Sequence, residues 1–344
     1  MLQQRRCNPV GGAAVPASVA KSSEPVIYGD ETYYPISIKA IRLDSVPPFD
    51  LYLRPSSEQP FILYCQRNTP FNREAQERLA AYRRDRLYIH GDQRNDYHVY
   101  LSEHLEDLLT DKRIPLREKS VILYDSAQAV VEQVLEDPCD RKAVRRGKNV
   151  AGQTVDFMGA EDFKLEHLLR TISADHYLYT HSVNVVAYSV ALAMRAGIDD
   201  RATLREIANG ALLHDVGKST LPKDLLERQG PLTEHEWQRV KDTTRVGYQM
   251  MADADCLGEI ALDIVLHHRE RLDGSGYPDG LAGGTISRYV RIVAIADIFD
   301  ALTCDRHHQK KRNTFEALET MGRTMKGQID PELFRAFVAM MGAR

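Results

Sequence analysis

The chain has 344 residues, 43% of them hydrophobic and 27% charged, with a formal net charge of −4. The length suits about two domains and the composition is that of a globular protein. The acidic balance excludes a dedicated duplex nucleic-acid binder, which would carry a basic excess, but leaves room for a small phosphate-bearing ligand that needs only a local cluster of charge.

The five cysteines, Cys7, Cys65, Cys139, Cys256 and Cys304, are odd in number and widely spaced. They build neither a disulfide framework nor a CxxC zinc pattern, so a reducing cytoplasm is expected. No apolar run approaches the roughly 18 residues of a membrane span. Arg5 and Arg6 precede a Gly/Ala-rich stretch, but without a Leu/Ile/Val-rich segment it is no secretory signal. Residues 1–25 are expected to be a disordered tail.

Residues 26–111 read as a small N-terminal α+β domain. Phe49–Leu53 alternates and reads as a strand, and after a turn at Pro55–Glu58 Phe61–Cys65 reads as a second. Asn72 can cap a helix carrying Ala75, Leu79, Ala80 and Tyr82, and Leu87–Ile89 reads as a further strand. Nothing in this unit has catalytic spacing, so a packing or signal-input role is expected. Residues 112–160 are expected to be a helical linker. Val121, Tyr124, Ala127, Val131, Val134 and Leu135 form a helical stripe from Pro115, a helix that could pair two subunits. Asp140–Lys148 is basic and reads as a solvated face, with a partner surface as the other reading.

From residue 161 to 344 every strong pattern is helical. An apolar helix through Val183–Met194 stops at Gly197, and another runs through Leu204–Leu212. Thr233 with Glu236 makes a capping box, and Ile260–Val265 begins the next helix. Tyr289–Thr303 is so apolar that it belongs at the centre of a bundle, and two short helices, Phe315–Met325 and Pro331–Met341, close the chain. The fold class is therefore α+β overall, a small N-terminal α+β domain followed by an all-α bundle.

Chemistry concentrates in this second half. His214-Asp215 aims an imidazole and a carboxylate at one point, Gly217 lets the chain leave the helix, and Lys218 stays within reach. Such ligands suit iron, manganese, nickel or zinc. Asp297 sits inside an apolar helix, where a carboxylate is costly unless paired or metal-bound. His181 opens another apolar helix, and one of His267 and His268 is expected to point inward. Four helices would thus deliver imidazoles and carboxylates to one place, as bundles do when they build internal metal sites. Asp273–Gly280 holds three glycines and a proline, so it is a loop. Gly276 permits close approach of backbone to a ligand and Tyr277 supplies an aromatic face with a hydroxyl.

His181-Ser182, His214–Lys218, Asp273–Pro278 and Ala296–Leu302 follow one another with the spacing of the HD-GYP family. The chain resembles that family, an all-helical branch of the HD superfamily, from about Phe163 to the C-terminus. The resemblance implies a cyclic di-GMP phosphodiesterase of bacterial signalling with one or two divalent metal ions per chain. It puts His181, His214, Asp215 and Asp297 around one metal, with Asp215 bridging to a second that His268 would serve. It makes Asp215 and Lys218 catalytic and brings Lys218, Gly276, Tyr277 and Arg306 to the substrate.

The chain departs from the family pattern at Thr243 and Arg269, where members carry histidines that serve the second metal. His267-His268 fits the motif only with a one-residue shift. Tyr177 stands where some members have a Glu, so a third metal is not expected. Gln309 replaces a basic residue beside Lys310 and Lys311. Three readings follow: a working cyclic di-GMP phosphodiesterase, a degenerate domain that binds cyclic di-GMP or a signalling partner without cutting, and a hydrolase of another phosphorylated nucleotide.

Overall fold

The computed structural model describes residues 25–81, 86–160, 163, 178–226, 228, 230–304 and 312–342. The expected N-terminal tail lies outside the described residues. The N-terminal unit is a five-stranded antiparallel sheet in the order β1-β2-β5-β3-β4, formed by Val26–Tyr28, Glu31–Ser37, Leu51–Leu53, Ile62–Cys65 and Arg86–His90 as β1 to β5. Gly29, at φ +64°, allows the two-residue turn between β1 and β2. The helix Arg73–Ala81 (α1) starts as expected, with Asn72 Oδ1 accepting from Ala75 N at 3.0 Å. Leu51, Leu87 and Ile89 are fully buried on one sheet face. Phe61 stacks on Tyr33 and meets Tyr88 edge-on.

Three N-terminal elements escape the sequence reading. Pro35 argues against β2, yet β1 pairs only with Glu31–Tyr33, so Pro35 needs no donor on that side. The strand β1 is only three residues long, whereas the helix Arg94–Thr110 (α2) carries a helical stripe of Tyr97, Tyr100, Leu101, Leu105, Leu108 and Leu109 that the sequence reading passed over.

Helices Leu116–Glu136 (α3) and Arg141–Met158 (α4) follow. The basic segment forms the start of α4. Arg141, Lys142 and Arg145 are exposed as the solvated-face reading expects, but Ala143, Val144, Gly147 and Val150 bury the opposite side. Both helices pack into the bundle: α3 lies against Leu178–Arg195 (α5) and α4 against Arg201–Leu213 (α6). One continuous apolar core runs from the sheet to the last helix.

The rest of the bundle comprises Lys223–Leu226 (α7), Glu234–Asp253 (α8), Glu259–His267 (α9), Arg288–Thr303 (α10), Thr314–Thr324 (α11) and Pro331–Gly342 (α12). The expected capping box is present at Thr233 and Glu236, and Gly197 ends α5 at φ +82°. Every residue from Ile292 to Asp300 of α10 is buried, which makes it the central helix. Among the described residues no helix is long and apolar enough to cross a membrane.

Two close approaches hold the site-bearing segments. A Cβ on Gly210 would stand 2.8 Å from Ile264 Cβ and 3.0 Å from Ala261 O, so α6 and α9 cross almost backbone to side-chain root. A Cβ on Gly217 would overlap the backbone of Thr243 and Gly247, which seats the short 3-10 turn Val216–Thr220 on α8. Gly210→Ala is therefore expected to cost about 1–3 kcal/mol in chemical denaturation through overpacking. Gly284→Ala, with nothing within 4 Å of the new carbon, should leave the midpoint unchanged. Equal midpoints for the two variants would refute the crossing argument.

Candidate metal centre

The site lies where α5, α6, α10 and the segment after α9 meet. His181 comes from the first turn of α5, His214 and Asp215 from the end of α6, Asp297 from the middle of α10 and His268 from the cap of α9. All five are at least 96% buried. Ligand atoms of His181, His214 and Asp215 lie within 4.8 Å of one another.

The outer nitrogen of each ring is committed. His214 Nδ1 lies 2.8 Å from Ala211 O, and His268 Nδ1 lies 3.2 and 3.1 Å from Ile264 O and Val265 O. A carbonyl can only accept, so these Nδ1 atoms carry the hydrogen and donate it. His181 Nδ1 donates to Asp300 Oδ2 at 2.7 Å. In the neutral rings each Nε2 is therefore left as a bare lone pair.

Those lone pairs face each other and two carboxylates. His181 Nε2 stands 3.3 Å from His214 Nε2, 3.2 Å from Asp297 Oδ1 and 3.6 Å from Asp215 Oδ2. His214 Nε2 is 3.4 Å from Asp215 Oδ2 and 3.9 Å from Asp297 Oδ1. Neither oxygen of Asp297 has a hydrogen bond. Acceptors gathered on acceptors in a dry pocket repel unless a cation joins them. Ligands about 2.0–2.2 Å from an ion stand about 3–3.5 Å from one another, which is the spacing found here. The donor set fits a divalent transition metal held by imidazole and carboxylate.

The electrostatics match. Burial pushes the carboxyl of Asp215 up, but Lys218 and His214 outweigh it and hold the group well below the usual range. For Asp297 burial is likewise overcome by Arg269 and His181. Burial resists charge on His181, but its bonds to Asp297 and Asp300 raise its pKa. Burial lowers His268 to about 4, so that ring is neutral at physiological pH.

Lys218 Nζ lies 2.5 Å from Asp215 Oδ2, and its side chain is 19% exposed, so it stands at the mouth. Arg269 also enters, with Nη1 3.1 Å from Asp297 Oδ2 and Nη2 3.7 Å from Asp215 Oδ1. His268 Nε2 lies 3.7 Å from Asp215 Oδ1. His267 turns away, its Nδ1 2.7 Å from Asp263 and its Nε2 3.0 Å from Asp279. His268 and Arg269 thus face the centre without a shift of register, because the end of α9 aims His267 back along its own helix at i−4.

In the Gly-rich loop, a Cβ on Gly276 would sit 2.4 Å from Arg271 N and from Glu270 Cα. Its missing side chain makes room for the chain's own backbone. Tyr277 lies beside Arg269, and its ring meets Trp237 edge-on at 5.9 Å. The buried carboxylate of Glu270 accepts from Asp279 N at 2.7 Å and Leu281 N at 3.0 Å, which ties down the loop. Arg306, Tyr177, Gln309, Lys310 and Lys311 lie outside the described residues.

Sequence reading missed the support behind His181. Asn184 Nδ2 donates to Asp300 Oδ1 at 2.8 Å, and Tyr124 of α3 donates to Asn184 Oδ1 at 3.0 Å. A second acid three residues after Asp297 on an apolar helix was the available signal for Asp300.

Comparison with known proteins agrees with this architecture. Residues 167–333 match the family model described as HD domain. The chain is 35% identical over 237 residues to cyclic di-GMP phosphodiesterase PA4108 of Pseudomonas aeruginosa, covering 67% of this chain and 56% of that one. It is 36% identical over 162 residues to 3'3'-cGAMP-specific phosphodiesterase 3 of Vibrio cholerae, covering 46% of this chain and 34% of that one. The chain thus spans little more than half of one relative and a third of the other. The structure of Bd1817, a HDG"Y"P protein from Bdellovibrio bacteriovorus, is similar in fold at TM-score 0.63 and 24% identity, with 90% of this chain and 99% of that one covered.

Partners that orient a ligating imidazole typically matter about 10–100-fold in metal affinity. Asp300→Asn and Asn184→Ala are each expected to weaken Mn²⁺ binding by that factor, measured by competition with a chelating dye, while the circular dichroism spectrum is kept. Unchanged affinity in both would remove the support role.

Proposed function

We propose that this chain, whose residues 167–333 match the HD domain family model, hydrolyses the phosphodiester bonds of cyclic di-GMP at the centre around His181, His214, Asp215 and Asp297. One observation carries the reading: bare ring nitrogens converge with two buried carboxylates, one of whose oxygens make no hydrogen bond. The similarity to a relative named cyclic di-GMP phosphodiesterase supports the substrate.

His181, His214, Asp215 and Asp297 would hold a divalent ion, and iron, manganese, nickel and zinc are all compatible with these donors. Bound there, the ion supplies positive charge to phosphoryl oxygens and Lewis acidity to water. The chain's own residues do the rest. Asp300 and Ala211 O keep the hydrogens of His181 and His214 on Nδ1, so both Nε2 atoms stay available as ligands. Lys218, partly exposed beside Asp215, presents a cation where charge grows on the phosphate. Tyr277 offers an aromatic surface to a guanine base. Arg306 is assigned to the substrate on the resemblance alone.

A second substrate has specific support, since one relative is named for 3'3'-cGAMP. Purified protein supplied with Mn²⁺ or Fe²⁺ is expected to convert cyclic di-GMP to linear pGpG or GMP, followed by chromatography, and to cut 3'3'-cGAMP more slowly. Chelation or His214→Ala should abolish turnover, and Lys218→Met should lower kcat by roughly 10²-fold, the usual size of a lost charge-stabilising donor. Binding of cyclic di-GMP without turnover would establish the non-catalytic reading instead, and faster cutting of 3'3'-cGAMP would reassign the substrate.

A further inference from the structure

The two carboxylates divide their oxygens between two sides of the centre. Asp215 Oδ2 and Asp297 Oδ1 face His181 and His214. Asp215 Oδ1 and Asp297 Oδ2 face the other way, and there the guanidinium of Arg269 spans them, at 3.7 and 3.1 Å. Phosphodiester hydrolysis commonly uses two ions about 3.5–4 Å apart that share a carboxylate. Here the outward pair of carboxylate oxygens faces a side chain that is always charged and cannot be withdrawn by deprotonation.

The surrounding donors agree. On that side the nearest imidazole is His268, whose Nε2 lies 3.7 Å from Asp215 Oδ1. Thr243, the buried residue of α8 packed against the turn that follows Asp215, spends its hydroxyl on Val240 O at 2.7 Å. Arg269 itself is held in place, since its carbonyl accepts from Tyr277 N at 3.4 Å and its side chain is 18% exposed.

We propose that the centre takes one divalent ion per chain, on the His181–His214 side, and that Arg269 is a built-in cation standing where a second ion would sit. This rests on reading the site as a metal centre. Arg269 brings planar paired donors that suit phosphate oxygens, but it does not acidify water as an ion does. Water activation therefore falls to the single ion, while phosphate binding is shared between Lys218 and Arg269.

The test is a count of metal. Full-length protein is loaded with excess Mn²⁺, desalted and measured by elemental analysis, with electron paramagnetic resonance on the same samples. Wild type is expected to hold one Mn²⁺ per chain with an uncoupled six-line spectrum. Arg269→His, which removes the fixed charge and supplies an imidazole, is expected to approach two, with the spectrum of a coupled pair. Should that variant not fold, Arg269→Gln is counted at rising Mn²⁺, and an added second ion supports the proposal. Two ions in wild type would overturn the role of Arg269 and leave the metal centre standing. A count of zero would remove both.

Discussion

Everything at the centre follows from acceptor atoms of four side chains that converge on one point, with Lys218 and Arg269 as the cations beside them. Three imidazoles donate their outer hydrogens to carbonyls or to Asp300, and their inner nitrogens then confront Asp215 and Asp297 in a pocket closed to water. Such a cluster is unfavourable by itself. The bundle holds it because the backbone contacts at Gly210 and Gly217 fix α6, α8 and α9 so closely that the side chains cannot spread apart.

Much of this was legible in the chain. Helices announce themselves by apolar period, and a run such as Val290–Phe299 leaves no solvent face, so Asp297 within it had to meet a cation. The capping box at Thr233 and the stop at Gly197 are local chemistry and were read correctly for that reason. The order of His181, His214, Asp215 and Asp297 brought three separate segments to one point because the family pattern already encodes that long-range pairing.

What escaped depended on tertiary context. The strand β2 contains Pro35, which is tolerated only because β1 is too short to need its donor. The basic start of α4 hid an apolar face made mostly of small residues, whose burial is visible only once α3 and α6 are placed. The choice between His267 and His268 depended on where α9 ends, and helix ends are the least certain boundaries in any reading. The line from Tyr124 through Asn184 and Asp300 to His181 joins residues far apart in sequence, so no local window contains it.

Glu270 has a mechanical consequence. Its carboxylate is 98% buried and is satisfied by the main-chain amides of Asp279 and Leu281. Swinging Asp273–Gly280 outward would strand that acid without donors, a penalty of about 1–3 kcal/mol or more for a charged group. The glycine-rich segment therefore behaves as a fixed rim and not as a flap. Opening it would require both amide hydrogen bonds to Glu270 to break together.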